Sequence, residues 1–148
     1  TMSIEIQNLQ RRITGFDTNS LRKRATAIDE AARTVEHTVC VTLLSDKRIH
    51  ALNRDYRNRD KPTDVLSFAQ NEGEFADLNN EMLGDVLISL ETAERQRGKR
   101  SLLDEVTHLL IHGVLHLQGH DHQDDKDAAA MEAEEKRIWA GVRASSTD

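Results

Sequence analysis

Five of the seven histidines in this chain, His108, His112, His116, His120 and His122, crowd between positions 108 and 122. His112 and His116 stand at i and i+4, so on a helix both rings project from one face, a turn apart. That geometry lets two imidazoles hold one metal ion. Gly119 follows, and glycine reverses a chain cheaply because it takes positive φ without a Cβ clash. His122 can then fold back as a third ligand. A lone histidine on a helix is an ordinary core or surface residue, and a pair at i, i+4 is a weak signal. Three at His-x3-His-x5-His, with a glycine between the second and third on an otherwise apolar helix, form a strong one. Burying two imidazoles without partners would cost about 1–3 kcal/mol each, and a metal removes that cost. Three protein ligands leave a fourth position open, as in catalytic rather than structural zinc sites. Zinc, one ion per chain, suits an all-imidazole set, while nickel, copper and iron accept the same donors. His108 lies a further turn back, but three rings along one straight helix cannot surround one ion.

Metzincin-type zinc peptidases run His-Glu-x-x-His-x-x-Gly-x-x-His, the glutamate serving as general base. Gly113 stands in that position here, which argues against a peptidase. The other chemistry is cationic. Arg54, Arg57, Arg59 and Lys61 form a basic segment interrupted only by Asp55 and Asp60 among the acids. The net charge is −6, so overall charge draws in no polyanion, and nucleic-acid contact must come from such a local patch. These four residues are the candidate nucleic-acid contacts; a solvated helix end is the plain alternative. The run Arg95, Arg97, Lys99 and Arg100 reads as an exposed helix terminus. Cys40, inside an apolar stretch, reads as a small buried hydrophobe, and Trp139 as a core or helix-packing anchor. Asp124, Asp125 and Asp127 read as the acidic preference of a helix N-terminus. Aromatic residues make up 3% of the chain, too few for an evident base-stacking platform.

The elements that must position these residues follow from periodicity and caps. Ser3 to Leu9 alternates as a first strand. Asp17 or Asn19 caps a helix to about Glu36, with Leu21, Ala25, Ile28 and Ala32 on its inner face. Thr38–Leu44 is β-branched and apolar, a second strand. Ser45 or Asp46 caps a short helix carrying Ile49, Leu52 and Tyr56, followed by a polar loop from Asn58 to Thr63. Val65–Phe68 is a short strand, Gln70–Glu81 an exposed acidic connection, and Met82–Leu90 a further strand. Ser89 or Thr92 starts a short helix ending near Gly98. Ser101, paired with Asp104 in a capping-box-like arrangement, opens a helix apolar nearly all round, hence buried, that stops at Gly119. Asp124 or Asp125 caps a last helix through Met131, Ile138 and Trp139, and the tail from Ala144 to Asp148 is expected to fray. The order β-α-β-α-β-β-α-α-α implies an α+β fold, a mixed sheet with helices packed around it. At 148 residues and 16.8 kDa, residues 1–148 are expected to form a single domain. Hydrophobic residues at 37% and charged ones at 31% describe a soluble globular chain. One cysteine excludes an internal disulfide framework and fits a reducing cytosol. No apolar run nears the roughly 20 residues a bilayer requires, and the N-terminus lacks the basic and apolar regions of a secretory signal.

Three blocks of sequence resemble a known family. They are the string His112-Gly113-Val114-Leu115-His116-Leu117-Gln118-Gly119-His120-Asp121-His122; the segment Leu52-Asn53-Arg54-Asp55-Tyr56-Arg57 with Asp60 and Pro62-Thr63-Asp64-Val65-Leu66-Ser67-Phe68; and Gly84-Asp85-Val86-Leu87-Ile88-Ser89. Together they resemble the YbeY family of bacterial endoribonucleases, also called rRNA maturation factors; Ala69 departs from the proline the family often has there. The resemblance implies a four-stranded mixed sheet with a zincin-like metal site on a buried central helix. It implies His112, His116 and His122 as ligands of one ion, usually taken as zinc. It places the family's arginine on Arg57, the expected catalytic residue steadying charge on the transition state; the local basic charge adds Arg54, Arg59 and Lys61 as substrate contacts. It implies cleavage of single-stranded RNA, maturation of the 3′ end of small-subunit (16S) ribosomal RNA and quality control of the 70S ribosome in the cytoplasm. The implied partners are ribosomal RNA, the small subunit and an assembly GTPase, without membrane or DNA. The attacking group is water or the RNA 2′-hydroxyl, and Asp121 is a candidate to orient a ligand histidine. The alternative class is a non-catalytic, metal-stabilised ribosome assembly factor.

Overall fold

The computed structural model describes residues 3–34, 37–70, 82–121 and 124–145. Its elements, in chain order, are β1 (Ile4–Asn8), α1 (Thr18–Ala32), β2 (Thr38–Leu44), α2 (Asp46–Arg57), β3 (Val65–Ala69), β4 (Met82–Ser89), α3 (Leu90–Gln96), α4 (Leu102–Leu117) and α5 (Asp125–Ser145). This is the expected order. The strands form one sheet in the order β1-β2-β4-β3. β1, β2 and β4 run parallel and β3 is antiparallel to β4, so the sheet is mixed and four-stranded. The expected acidic connection falls largely on residues 71–81, outside those described, as do residues 146–148 of the tail.

Alternation along the strands decides which face is core. Val39, Val41 and Leu43 of β2 and Val86 and Ile88 of β4 are buried, while Cys40, Thr42, Asp85 and Leu87 point the other way and are only partly covered. The buried face packs on α1 and α4, and α5 closes over both helices. Leu21, Ala25, Ile28 and Ala32 of α1 all lie in this core, each large aliphatic side chain contributing roughly 1.5–3 kcal/mol by leaving water.

Two expectations need correction. α1 stops at Ala32 instead of reaching Glu36, because Arg33 turns left-handed at φ 62° and its N–H closes back onto Asp29 and Glu30. Cys40 is half-buried, since it lies on the outer sheet face between Glu5 and Asp85. Burial first, then the Asp85 and Glu5 charges, push its thiol pKa up. On α2, Ile49 is fully buried while Tyr56 is 66% exposed, its ring edge-on to Phe68. Trp139 packs against the core edge, with the Arg143 guanidinium 4.8 Å over its ring.

α4 threads the middle of this arrangement. Ser101 Oγ accepts the Asp104 N–H at 3.0 Å to start it. It ends in a Schellman turn: the Gly119 N–H bonds the His116 carbonyl, the His120 N–H bonds the Leu115 carbonyl, and Gly119 takes φ 95°. Between Glu105 and Leu117 every residue of α4 is buried except His108, His112 and His116. The histidines therefore form a single half-open stripe on an otherwise enclosed helix.

Candidate metal centre and adjoining basic groove

Spacing of four residues places the three rings of α4 in a row. The His112 and His116 rings lie 5.6 Å apart, centroid to centroid, tilted by 35°, and the His108 and His112 rings 5.3 Å apart, edge to face. Across from them α5 contributes Glu135, whose Oε1 is 2.8 Å from His112 Nδ1. Ligand-capable atoms of His108, His112 and Glu135 all fall within 4.8 Å of one another. His108 Nδ1 and Glu135 Oε1 are shut off from solvent without a well-directed hydrogen bond among the described residues. Buried orphaned donors of this kind, in a set of imidazoles and one carboxylate, fit a transition-metal ion.

The structure thus brings His112 and His116 side by side as expected, while His122 lies outside the described residues. Among the described residues the ligand atoms that converge are those of His108, His112 and Glu135, without His116: His108, set aside on sequence, is brought into range with a carboxylate from another helix. Sequence reasoning missed Glu135. Its signal was present: Met131, Ile138 and Val142 are the buried residues of α5, and Glu135 sits at helical spacing among them, a carboxylate on the apolar side.

A groove of about 760 Å³ runs from the α2–β3 loop to the C-terminal end of α4, bordered by Arg57, Arg59, Lys61, Ser67, His116 and Asp121. Buried Asn53 builds its basic wall. α2 ends at Asn58 in the left-handed region, φ 58°, a conformation asparagine tolerates. The Asn58 and Arg59 N–H groups both turn back to the Asn53 carbonyl, and Asn53 Nδ2 donates to the Lys61 carbonyl at 2.9 Å. On sequence Asn53 stands out only as a member of the resembling block from Leu52 to Arg57. Arg57 Nη2 donates to the Ser67 carbonyl at 2.7 Å, and its guanidinium stacks 4.5 Å over the Phe68 ring. Arg54 does not border the groove; its Nε pairs with Asp55 at 3.0 Å. Arg95, Arg97 and Arg100 pair with Asp46, Glu94 and Glu105, which accords with a helix terminus.

The model of the family described as Endoribonuclease YbeY matches residues 4–143 of the chain. The chain belongs to the YbeY family. An endoribonuclease YbeY from Geobacter metallireducens is 43% identical over 143 residues, covering 94% of this chain and 95% of that protein. One from Pelotomaculum thermopropionicum is 49% identical over 107 residues, covering 70% of each. Among solved structures, the solution structure of a Thermotoga maritima protein superposes with a TM-score of 0.63 at 25% identity, covering 94% of this chain and 88% of that one. Membership in this family fits the expected fold class, and the packing of α4 gives Gly113 a structural meaning. A Cβ there would meet Val86 Cγ1 at 2.6 Å, so α4 lies against β4 too closely for the glutamate of a peptidase. Among the described residues no helix is long and apolar enough to cross a membrane.

Proposed function

We propose that this chain is a zinc-dependent, single-strand-specific endoribonuclease. Its proposed role is maturation of the 3′ end of 16S ribosomal RNA and quality control of the 70S ribosome, with ribosomal RNA in the small subunit as partner and an assembly GTPase as a second. The observation that carries the reading is the continuity of the groove: the basic wall of Arg57, Arg59 and Lys61 shares one cleft with His116 of the metal-ligand stripe. Family membership supports the reaction, and the fixed position of Arg57 supports its role.

In this reading His112, His116 and His122 hold the ion. When bound, the ion supplies water activation or polarisation of a phosphoryl oxygen. Arg59 and Lys61 hold the backbone by charge. Arg57, pinned by Ser67 and Phe68 at the groove wall, presents a planar fork to the phosphate whose negative charge grows in the transition state. Asp121, exposed and lining the same groove, is a further polar group for orienting a ligand or substrate.

The test is cleavage of a single-stranded RNA by metal-replete, highly purified protein beside an equally folded Arg57→Ala protein. Cleavage that vanishes with Arg57→Ala supports the enzyme. Equal residual cleavage in both exposes a contaminating nuclease, and the docking-factor reading then takes its place.

A further inference from the structure

We infer that Glu135 is a positioning residue for the metal centre: it grips His112 at Nδ1 from α5 and thereby fixes the ring so that Nε2 is the nitrogen offered to the ion. The inference rests on the metal-site reading above and adds a residue from a different helix to it. The contact is 2.8 Å long between a carboxylate oxygen and a ring nitrogen, and both side chains are mostly covered, at 24% and 16% exposure for His112 and Glu135. A carboxylate buried beside an imidazole costs several kcal/mol of desolvation unless it is compensated. Here it stands at helical spacing among the apolar contacts of α5, with Met131 and Ile138 fully buried on either side. Packing of α5 against α4 and α1 thus delivers the oxygen to one atom of one histidine.

The chemistry of such a contact is specific. A neutral imidazole carries one N–H, and the acceptor it meets decides which nitrogen keeps the proton. A carboxylate at Nδ1 fixes the proton there and leaves Nε2 with its lone pair for the metal, while also raising the basicity of the ring. His108, with Nδ1 in the same pocket, offers a rival arrangement in which His108, His112 and Glu135 together ligate a second ion. That arrangement requires His112 to give Nδ1 to a metal while Nε2 serves the first, which demands an imidazolate. A His112 that keeps its Nδ1 proton against the Glu135 carboxylate, 2.8 Å away, demands only a neutral ring, so positioning is the simpler state.

Zinc affinity and stoichiometry, measured by competition with a chromophoric chelator, test this in the wild type, Glu135→Gln and Glu135→Met. Gln keeps an oxygen that can accept from Nδ1; Met fills the space without one. The melting temperature of each metal-stripped protein reports the fold independently. Glu135→Met should weaken zinc about 10- to 100-fold, Glu135→Gln should recover most of that loss, and the wild type should hold one ion per chain. Zinc affinity in Glu135→Met within twofold of wild type would overturn the inference. So would two ions in the wild type falling to one in Glu135→Met, which would make Glu135 a ligand. A wild type that binds zinc tightly yet leaves RNA intact would sink the nuclease proposal while the Glu135 effect on zinc stands.

Discussion

Arg57 is fastened to Ser67: its Nη2 donates to the Ser67 carbonyl at 2.7 Å, while the Ser67 hydroxyl donates to the Gly113 carbonyl at 3.3 Å on the metal helix. Two hydrogen bonds therefore relate the arginine of α2 to the helix that carries the histidines, through one residue of β3. Replacing Arg57 with Ala should lower RNA cleavage more than tenfold, roughly 1.4 kcal/mol or more of transition-state stabilisation. Bound metal and melting temperature should stay nearly unchanged, because the side chain is exposed and makes no core contact. Arg57→Lys should recover little, since a point charge cannot fork two phosphate oxygens. Loss of metal in Arg57→Ala, with cleavage per folded molecule retained, would reassign the residue to structure.

Arg59 and Lys61 sit on the same wall, and among the described residues no hydrogen bond or ion pair ties their side chains to the metal helix, so their contribution should be diffuse. Lys61→Ala should weaken RNA binding modestly and across sequences, reducing the slope of log affinity against log salt by about one unit. Arg54→Ala should leave that slope unaltered, because Arg54 is held by Asp55 away from the groove. Filter binding or fluorescence anisotropy at several salt concentrations separates the two.

The sequence made the metal helix legible because its code is local: helical spacing, a cap at Ser101 and a stop at Gly119 are all read within one segment. The same holds for β2, whose β-branched run matches the strand residue for residue. What stayed hidden depends on how segments meet. Glu135 is one of many glutamates until α5 is laid against α4. Asn53 becomes a loop anchor only once the chain after α2 folds back over it. Cys40 was assigned to the core from its apolar stretch, which marks a strand but not whether another element covers each of its faces. Gly113 was read for the base it lacks, and the close approach of β4 is the physical reason a side chain is absent.

That close approach gives a packing prediction. Gly113→Ala places a methyl 2.6 Å from Val86 Cγ1 and 3.2 Å from Ser67 Oγ, so α4 must move off β4 or Val86 must shift. The expected cost is about 1–3 kcal/mol of overpacking, seen as a lower melting temperature. Gly113→Ala combined with Val86→Ala should recover part of it. A single Gly113→Ala variant as stable as wild type would show that α4 and β4 separate more easily than their packing indicates.

Metal binding should register in stability. An ion that binds only the folded chain adds about 2.7 kcal/mol when its free concentration is 100 times its Kd. Stripping zinc with a strong chelator should therefore lower the melting temperature, and zinc should restore it. His116→Ala should abolish the zinc-dependent increment while leaving the stripped protein close to the stripped wild type, since His116 is only partly buried. Equal melting temperatures before and after confirmed metal loss would contradict a site built on the α4 histidines.

Asp46 supplies a pH-dependent prediction away from the groove. Burial acts to push its carboxyl up, but hydrogen bonds from the Ser89 and Thr92 hydroxyls, at 2.5 and 2.6 Å, together with Arg95 outweigh it and hold the pKa below the usual value. Its backbone N–H also donates to Glu91 at 3.0 Å, so this one residue ties the start of α2 to the end of β4 and the first turn of α3. A carboxylate whose pKa is lower in the folded than in the unfolded chain stabilises the fold at every pH above the unfolded value, about 3.9. That contribution is lost as the pH falls through the folded value. Asp46→Asn should therefore melt below wild type by a constant margin from about pH 5 to 8, where the charge-assisted bonds are worth about 1–3 kcal/mol in total. The margin should close below about pH 4, as wild-type Asp46 takes up its proton and comes to resemble the amide. Thermal melts of both proteins across this range provide the check. A margin that persists undiminished to pH 3 would mean that shape at this junction, and not the charge of Asp46, holds α2 to α3.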